Sequence, residues 1–379
     1  MSLSRFSYEN GKNGLDFPSI SLNRVNLFVG ASAVGKTTLL NIMFDVARTA
    51  VTGLQTLEGR WEVEITIEKN IYKWSYQAEL NSSGIYTIVS DKIARRDNDK
   101  ENYSILYTRT SDEIVLDGIS FPAFIASQAG IFLFKNHPEL ALLHNFFSGF
   151  VRRSFSGGEL ERAAGMTTVF KFNNSQHQMK KSTFLEITNI PSLNMKLFII
   201  KRDYPLIYDD ILLYYKSIFQ SVVDLTITDA GRDVGKISGK NLANAISTPL
   251  IYVKEKDAKN QIPLSHLSSG MLKVLLILVD ILTLNAGGVY FMDEYENSLG
   301  INAIKFLPDL MADAGFDKQF IITSHNPYVI NKMPPKNWFL IKRKGAHVTI
   351  ISGDELDNRY SASKQEKFIQ LMADIELDI

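Results

Sequence analysis

The chain has no cysteine among its 379 residues, which excludes disulfide bonds and thiolate metal sites. Its first residues, MSLSRFSYENG, lack the apolar core of a signal peptide. The most apolar run, VLLILVDILTL from Val274, is too short to span a bilayer and contains Asp280. Together these absences predict a cytoplasmic protein with no membrane partner.

An excess of charge of one sign is also missing. Lys+Arg and Asp+Glu number 41 each, so the formal net charge is +0, and nothing attracts the whole chain to nucleic acid or to a membrane surface. DNA binding would therefore require a local basic patch. There is no heptad run long enough for a coiled-coil arm. The length suits one large or two ordinary domains with a well-buried core.

The hydrophobic pattern changes along the chain. Residues 16–30 end in a uniformly apolar strand, and alternating runs typical of antiparallel strands follow from Trp61 to Leu116. Within them, the charged run DKIARRDNDKEN is predicted to be a solvated hairpin tip. Helical spacing extends from Pro122 to about Gln220, and strands and helices alternate in the last third of the chain.

A phosphate-binding loop is present without a mismatch. GASAVGKTT matches G-x-x-x-x-G-K-[ST] and lies between a buried strand and a helix. Its backbone N–H groups and the helix N-terminus would surround phosphate oxygens. Lys36 would reach the β- and γ-phosphates, Thr37 would bind Mg²⁺, and Thr38 would bond the α-phosphate. The loop predicts binding of ATP and Mg²⁺ through Gly30, Ser32, Gly35, Lys36, Thr37 and Thr38.

Two carboxylates end a later apolar run. VYFMDE places Asp293 and Glu294 at the end of a strand that is predicted to lie beside the strand of the phosphate loop. There Asp293 would meet Mg²⁺, and Glu294 would face the attacking water as a general base. A further strand, FIITS, ends just before His325, where a side chain could sense the γ-phosphate. Glu294 and His325 are therefore the candidate catalytic residues.

Two stretches compete as the element that one subunit presents to the nucleotide of another: FSGGELERAA from Phe155 and LSSGMLKVLL from Leu267. Both offer Ser and Gly at a candidate helix start, which suits an incoming phosphate. Only the second runs directly into an apolar helix that leads to the acidic strand, whereas the first is typical of a charged helix cap.

These elements in this order resemble the ATP-binding-cassette class of P-loop ATPases, in which the signature shortly precedes the acidic strand. LSSGM fits that order and FSGGE does not. NRVNLFVGASAVGKTTLLN, LSSGMLKVLL, FMDEYENSLG and ITSHNPYVI are similar to the RecF/OLD-like branch, which includes the heads of DNA-repair ATPases and anti-phage ATPases. The resemblance implies that Ser268, with Ser269 and Gly270 beside it, contacts the γ-phosphate held by the opposite subunit. It also makes Gln128 a candidate Mg²⁺ ligand beside Thr37 and Asp293.

The resemblance implies an α/β fold: an ABC-type head with a mixed central sheet, an antiparallel β arm and an inserted helical lobe. Residues 1–121 would form the first part of the head with the arm, 122–260 the helical lobe with connecting strands, and 261–379 the rest of the head. The chain departs from the branch at Gly300 and Ile301, where a histidine and a proline often follow the E-N-x-L element. Too few residues follow His325 for a fused nuclease, so any nuclease is expected to be a separate protein.

A phosphate loop and a signature in one chain cannot complete the same site, so we expect a two-fold dimer that closes over two ATP molecules, alone or within a higher oligomer. The leading hypothesis is a scaffold or sensor in bacterial anti-phage defence, similar to the PARIS or Septu ATPases, that controls a separately encoded nuclease or toxin. The second hypothesis is a RecF-like DNA-repair ATPase that binds DNA. A transporter subunit is a third, and the strand-rich arm and the SSGM form of the signature argue against it.

Overall fold

The computed structural model describes residues 1–10, 16–98, 100–110, 112–122, 128–153, 155, 181–229, 249–313, 315, 317–345, 347–360 and 363–376. By its internal contacts the chain forms two units, each made of separate stretches of the sequence. The first unit contains Met1–Arg153, Ala286–Tyr295 and Leu310–Ile379, and the second contains Ser154–Asn285 and Glu296–Asp309. The three-segment division stays a prediction.

Strands and helices occur in both units. The strands of the described residues are β1 (Ser2–Glu9), β2 (Phe17–Ser21), β3 (Val25–Val29), β4 (Gly59–Ile67), β5 (Asn70–Leu80), β6 (Tyr86–Asp97), β7 (Ser104–Arg109), β8 (Glu113–Leu116), β9 (Ile119–Pro122), β10 (Phe150–Arg153), β11 (Val222–Asp229), β12 (Pro249–Glu255), β13 (Ile262–Pro263), β14 (Val289–Met292), β15 (Gln319–Thr323), β16 (Trp338–Lys344) and β17 (His347–Ser352). The helices are α1 (Lys36–Thr52), α2 (Gly130–Leu133), α3 (Pro138–Ser148), α4 (Phe184–Thr188), α5 (Leu193–Asp203), α6 (Pro205–Ile218), α7 (Ser269–Thr283), α8 (Ile301–Ala312), α9 (Pro327–Lys332), α10 (Gly353–Arg359) and α11 (Lys364–Glu376).

The central sheet of the first unit has the order β10-β14-β15-β3-β16-β17. Its first five strands are parallel and β17 is antiparallel to β16. Strands β3, β14 and β15 are buried along their whole length, as parallel strands covered on both faces require. The α/β fold class with a mixed central sheet is therefore confirmed.

The predicted position of the acidic strand is wrong. Strand β14 does not lie beside β3, because β15 lies between them and pairs in parallel with both. The opposite edge of β14 is covered by β10, in a region that was predicted to be helical. A uniformly apolar strand satisfies either neighbour equally well, so its pattern contains no information about strand order.

The arm is an eight-stranded sheet with the order β2-β1-β4-β5-β6-β7-β8-β9, antiparallel throughout. The antiparallel strands predicted between Trp61 and Leu116 are confirmed. Trp61 stacks on Tyr76 with ring centroids 4.3 Å apart, and Trp74 meets both rings edge-on. These rings lie in one hydrophobic core with Leu39 of α1, so the arm and the phosphate-loop helix are packed together.

The hairpin tip predicted for DKIARRDNDKEN is wrong for its first half. Strand β6 continues to Asp97, and Asp91 is 0% exposed. Its carboxylate accepts hydrogen bonds from the indole N–H of Trp74 at 2.8 Å and from the backbone N–H of Gly130 at 2.7 Å. On the neighbouring strand, Arg109 donates from Nη1 to the carbonyl of Gln128 at 2.9 Å. The arm therefore holds both ends of the 128–130 segment.

The second unit packs helices around the apolar helix α7, beside the antiparallel sheet β11-β12-β13. Residues Leu272–Thr283 of α7 are all buried. The Lys196 ammonium lies 2.8 Å from the Asp280 carboxylate, and both side chains are 0% exposed. An unpaired charge in this place would be strongly destabilising, so each residue requires the other. Of the helices that the structure describes, none combines the length and apolarity needed to cross a membrane.

The buried carboxylate of the arm predicts a pH dependence of stability. Burial raises the pKa of Asp91 from 3.8 to about 6, against the opposing effects of the Gly130 and Trp74 donors and Arg109. Between these values the folded chain binds more protons than the unfolded chain, so the contribution of Asp91 to stability falls as the pH rises. Asp91→Asn removes this titration.

The free energy of unfolding of wild type, minus that of Asp91→Asn, should therefore increase as the pH falls from about 7.5 to about 5, by on the order of 1 kcal/mol. Urea denaturation of both proteins at each pH measures this difference. A difference that stays constant with pH would contradict the assignment of the titrating group.

Candidate functional site

The phosphate loop connects β3 to α1 and depends on two glycines. Gly30 has a φ of 150° and Gly35 a φ of 107°, which L side chains rarely adopt. A Cβ on Gly30 would also lie 2.4 Å from the carbonyl oxygen of Ile341, so no larger residue fits there. Lys36 donates from Nζ to the carbonyls of Gly30 and Ala31, at 2.8 Å and 2.7 Å. These bonds hold the ammonium over the loop.

A chain of hydrogen bonds joins the phosphate-loop helix to the acidic strand and to β15. The Thr37 hydroxyl donates to Oδ1 of Asp293 at 3.1 Å, and the Thr323 hydroxyl donates to the same oxygen at 2.7 Å. The Thr323 hydroxyl also accepts from the backbone N–H of Glu294 at 2.8 Å. Glu294 has a φ of 47°, a left-handed conformation that is uncommon for a residue with a side chain. Thr323 therefore fixes both carboxylate residues.

One pocket of the first unit is lined by every predicted residue of the phosphate loop except Gly30, and by both acidic-strand residues. Ser32, Ala33, Gly35, Lys36, Thr37, Thr38, Asp293, Glu294, His325 and Arg343 line it. Asp293 is 6% exposed, whereas Glu294 and His325 are exposed to the pocket.

Two residues of the site, Thr323 and Arg343, were not predicted from the sequence. In the sequence, Thr323 is marked only by its position just before Ser324 and His325. Arg343 lies in a short basic run, KRK, that matches no known motif.

The oxygen donors of this pocket fit Mg²⁺. A threonine hydroxyl and a carboxylate 3.1 Å apart are hard oxygen ligands. Among the described residues there is no group of three His, Asp or Glu side chains that could hold a metal ion by themselves. Mg²⁺ is usually bound by one or two protein oxygens together with phosphates.

The structure does not place Gln128 among the residues lining this pocket. It is half-buried, and its carbonyl accepts a hydrogen bond from Arg109 of the arm. Its role as a metal ligand stays a prediction.

The signature candidate lies in the second unit, at the start of α7. Ser268 is the N-cap and accepts from the backbone N–H of Met271 at 3.3 Å, and both Ser268 and Ser269 are exposed. A Cβ on Gly270 would lie 2.6 Å from the carbonyl oxygen of Ser298, so this position also requires glycine. The rival stretch FSGGELERAA lies outside the described residues except for Phe155.

A buried lysine fixes the start of α7 to the segment that follows the acidic strand. Lys273 is 0% exposed, and its Nζ donates to the carbonyl of Asn297 at 2.7 Å. The same ammonium lies 4.1 Å from the ring centroid of Phe155. Together with the close packing of Gly270 on Ser298, these contacts hold the exposed serines in place.

Part of the chain matches a known protein family. Residues 172–331 match the family described as "AAA domain, putative AbiEii toxin, Type IV TA system". This stretch is therefore similar to AAA domains. It includes the signature candidate, the acidic strand and His325, and it covers less than half of the chain.

Among curated proteins, the chain is similar to the chromosome partition protein Smc of Methanocaldococcus jannaschii. The two are 28% identical over 101 residues, which are 26% of this chain and 9% of that protein. The similarity is therefore confined to a small part of a much longer relative.

Solved structures with a similar arrangement include heads of SMC proteins. One is an Smc head bound to the C-winged helix domain of ScpA, with a TM-score of 0.49, 10% identity, and coverage of 93% of this chain and 97% of that chain. The SMC head domain from Thermotoga maritima has a TM-score of 0.44 and 12% identity, with coverage of 93% of this chain and 99% of that chain. A third is the Smc head domain with an extended coiled coil, bound to the C-terminal domain of ScpA derived from Pyrococcus furiosus. Its TM-score is 0.47 and its sequence identity is 11%, with coverage of 99% of this chain and 99% of that chain.

The hydrogen bonds of Thr323 predict a specific defect in a Thr323→Val variant. Valine keeps the shape of threonine, but it leaves the partly buried Glu294 N–H without its acceptor and removes one of the two donors to Oδ1 of Asp293. We expect the kcat for ATP hydrolysis to fall about tenfold and the Mg²⁺ requirement to rise, with little change in the KM for ATP.

Thr283→Val is the matched control, because the hydroxyl of Thr283 is also buried and donates to the carbonyl of Val279 in its own helix, at 2.7 Å. Steady-state hydrolysis measured across a Mg²⁺ titration distinguishes the two variants. Equal behaviour of both would show that Thr323 has no special role in positioning the carboxylates.

Proposed function

We propose that the chain binds ATP with Mg²⁺, hydrolyses it, and forms a two-fold dimer around two nucleotides. The observation that carries this proposal is the pocket of the first unit. There Lys36, the hydrogen-bonded pair of Thr37 and Asp293, and Glu294 line one cavity at the N-terminus of α1.

The residues of the loop bind and orient the triphosphate. Backbone N–H groups of the loop and the N-terminal end of the 17-residue helix α1 bind its oxygens, and Lys36 exchanges its two carbonyl partners for the β- and γ-phosphates. Thr37 and Asp293 hold Mg²⁺, with Gln128 as a proposed further ligand. When bound, the ion neutralises the charge that develops on the phosphates.

Glu294 takes the proton of the attacking water. Its backbone N–H donates to Thr323, and its side chain lines the pocket. A carboxylate in this place acts as general base, and the imidazole of His325 hydrogen-bonds the γ-phosphate from the neighbouring strand end.

The second half of each site comes from the other copy. A phosphate loop and a signature in one chain do not complete the same site, so two-fold symmetry is the simplest way for both to be used. Ser268 and Ser269 support this proposal because they are exposed at the start of a 15-residue helix, with Gly270 beside them, and such a helix start suits a phosphate oxygen.

The biological role that we propose is a cytoplasmic ATP-dependent scaffold or sensor of the RecF/OLD-like branch, in the manner of the PARIS or Septu ATPases. In this role the ATP-bound dimer would hold a separately encoded nuclease or toxin until an anti-phage trigger releases it. The family description, with its putative toxin and Type IV TA system, favours a defence role.

The dimer proposal predicts that Glu294→Gln is trapped with ATP. The amide cannot accept the proton of water, so hydrolysis should fall by about 100-fold or more while binding persists. Light scattering should show the mass of a monomer without nucleotide and of a dimer with ATP and Mg²⁺. Lys36→Ala, which loses phosphate binding, should stay monomeric under both conditions.

Glu79→Gln on the exposed face of the arm is the matched control and should behave like wild type. An unchanged mass with ATP, together with hydrolysis at the wild-type rate, would show that Glu294 is not the general base and that ATP does not close the dimer.

The scaffold proposal predicts a stable complex with its effector. Tagged Glu294→Gln protein, purified from its native host with ATP and Mg²⁺, should retain a soluble partner in fixed stoichiometry, and Lys36→Ala should lose it. Mass spectrometry identifies the partner, and native mass measurement gives the stoichiometry. A bare ATP-bound dimer, with or without DNA, would instead favour a RecF-like repair ATPase.

A further inference from the structure

A second cation lines the phosphate-loop pocket and belongs to none of the motifs. Arg343 lies near the end of β16, in the same pocket as Lys36 and His325. We propose that Arg343 contacts the γ-phosphate of ATP and so makes the site prefer ATP to ADP. This inference rests on the proposed function, because it requires ATP in this pocket.

The path of β16 brings Arg343 to the loop. Strand β16 runs parallel to β3, with Leu340 opposite Val29, so Ile341 follows beside the first residue of the loop. The contact is close, since a Cβ on Gly30 would lie 2.4 Å from the Ile341 carbonyl oxygen. Two residues further on, Arg343 therefore stands beside the loop itself.

The alternation of side chains directs Arg343 to the correct face. Phe339 and Ile341 belong to the hydrophobic core that contains Leu39 of α1. Because residues two apart in a strand share a face, Arg343 lies on the same side as α1 and the phosphate loop. Lys342 faces the other side, where its Nζ donates to the carbonyl of Asp374 at 3.3 Å.

The neighbours of Arg343 favour the γ-phosphate over the rest of the nucleotide. It shares the pocket with the middle of the loop, Ser32 and Ala33, and with Glu294 and His325, which are assigned to the reacting end. Its Nε donates to the carbonyl of Gly345 at 2.7 Å. That bond does not use the two terminal nitrogens, which are well suited to phosphate oxygens.

The charges of the pocket explain why a second cation would favour ATP binding. Asp293 and Glu294 place two carboxylates beside the position of an anionic ligand, and Lys36 is the other cation in the lining. A guanidinium at the γ-phosphate offsets this repulsion only for a nucleotide that has a γ-phosphate. ADP would make the loop contacts without using Arg343.

The test compares the affinities for ATP and ADP in the full chain. In the Glu294→Gln background, which preserves ATP, isothermal titration with Mg²⁺ measures both dissociation constants. Arg343→Gln should weaken ATP binding by about 10- to 100-fold, as expected for a lost charge-assisted hydrogen bond, and leave ADP binding nearly unchanged. Arg343→Lys should be intermediate for ATP, because it keeps the charge without the planar fork.

Lys344→Gln is the matched control, since Lys344 is the adjacent exposed cation on β16 and is not among the residues lining the pocket. It should leave both affinities unchanged. Equal weakening of ATP and ADP by Arg343→Gln, or no weakening of either, would overturn the assignment to the γ-phosphate. If the parent protein binds neither nucleotide, the proposed function fails first, and that result is separate from any effect of Arg343.

Discussion

The Asp293 carboxylate is the point on which the candidate site depends. It accepts from Thr37 at the start of the phosphate-loop helix and from Thr323 at the end of β15. Through Thr323 it is also connected to the backbone of Glu294. Three separate parts of the sequence are therefore held together by a single buried carboxylate. Because water is largely excluded from it, these bonds are stronger than they would be on the surface.

The order of the strands explains how such an arrangement forms. With β15 between β14 and β3, the carboxyl ends of three adjacent parallel strands meet at one edge of the sheet. The phosphate loop follows β3, the carboxylates follow β14, and His325 follows β15. Had β14 been adjacent to β3, as its sequence allowed, Thr323 could not have joined Asp293 from between them. The middle strand is therefore a structural part of the site.

The site residues that could be predicted from the sequence belong to contiguous motifs. The loop from Gly30 to Thr38 and the pair Asp293 and Glu294 each lie within a few residues, so their local pattern alone indicates their chemistry. The structure brings most of the loop and both carboxylates into one pocket. Thr323 and Arg343 could not be found in this way, because their importance comes from strand pairing with residues far away in the chain. Strand β10 was missed because its four residues, FVRR, are too short and too basic to indicate a buried parallel strand.

The charged run of the arm was misread for a related reason. Sequence patterns treat a carboxylate as solvated, whereas Asp91 is buried with two hydrogen-bond donors and is paired in register with Tyr76 and Arg109. This has a consequence for the alignment of the strands during folding. If β6 slipped by one residue, Asp91 would turn to the outer face and Ser90 or Lys92 would meet the tryptophans. Burying Asp91 is costly unless its hydrogen-bond donors are present, and they are present only in the native register. The buried carboxylate therefore favours the native pairing of β6 with its neighbouring strands over a register shifted by one residue.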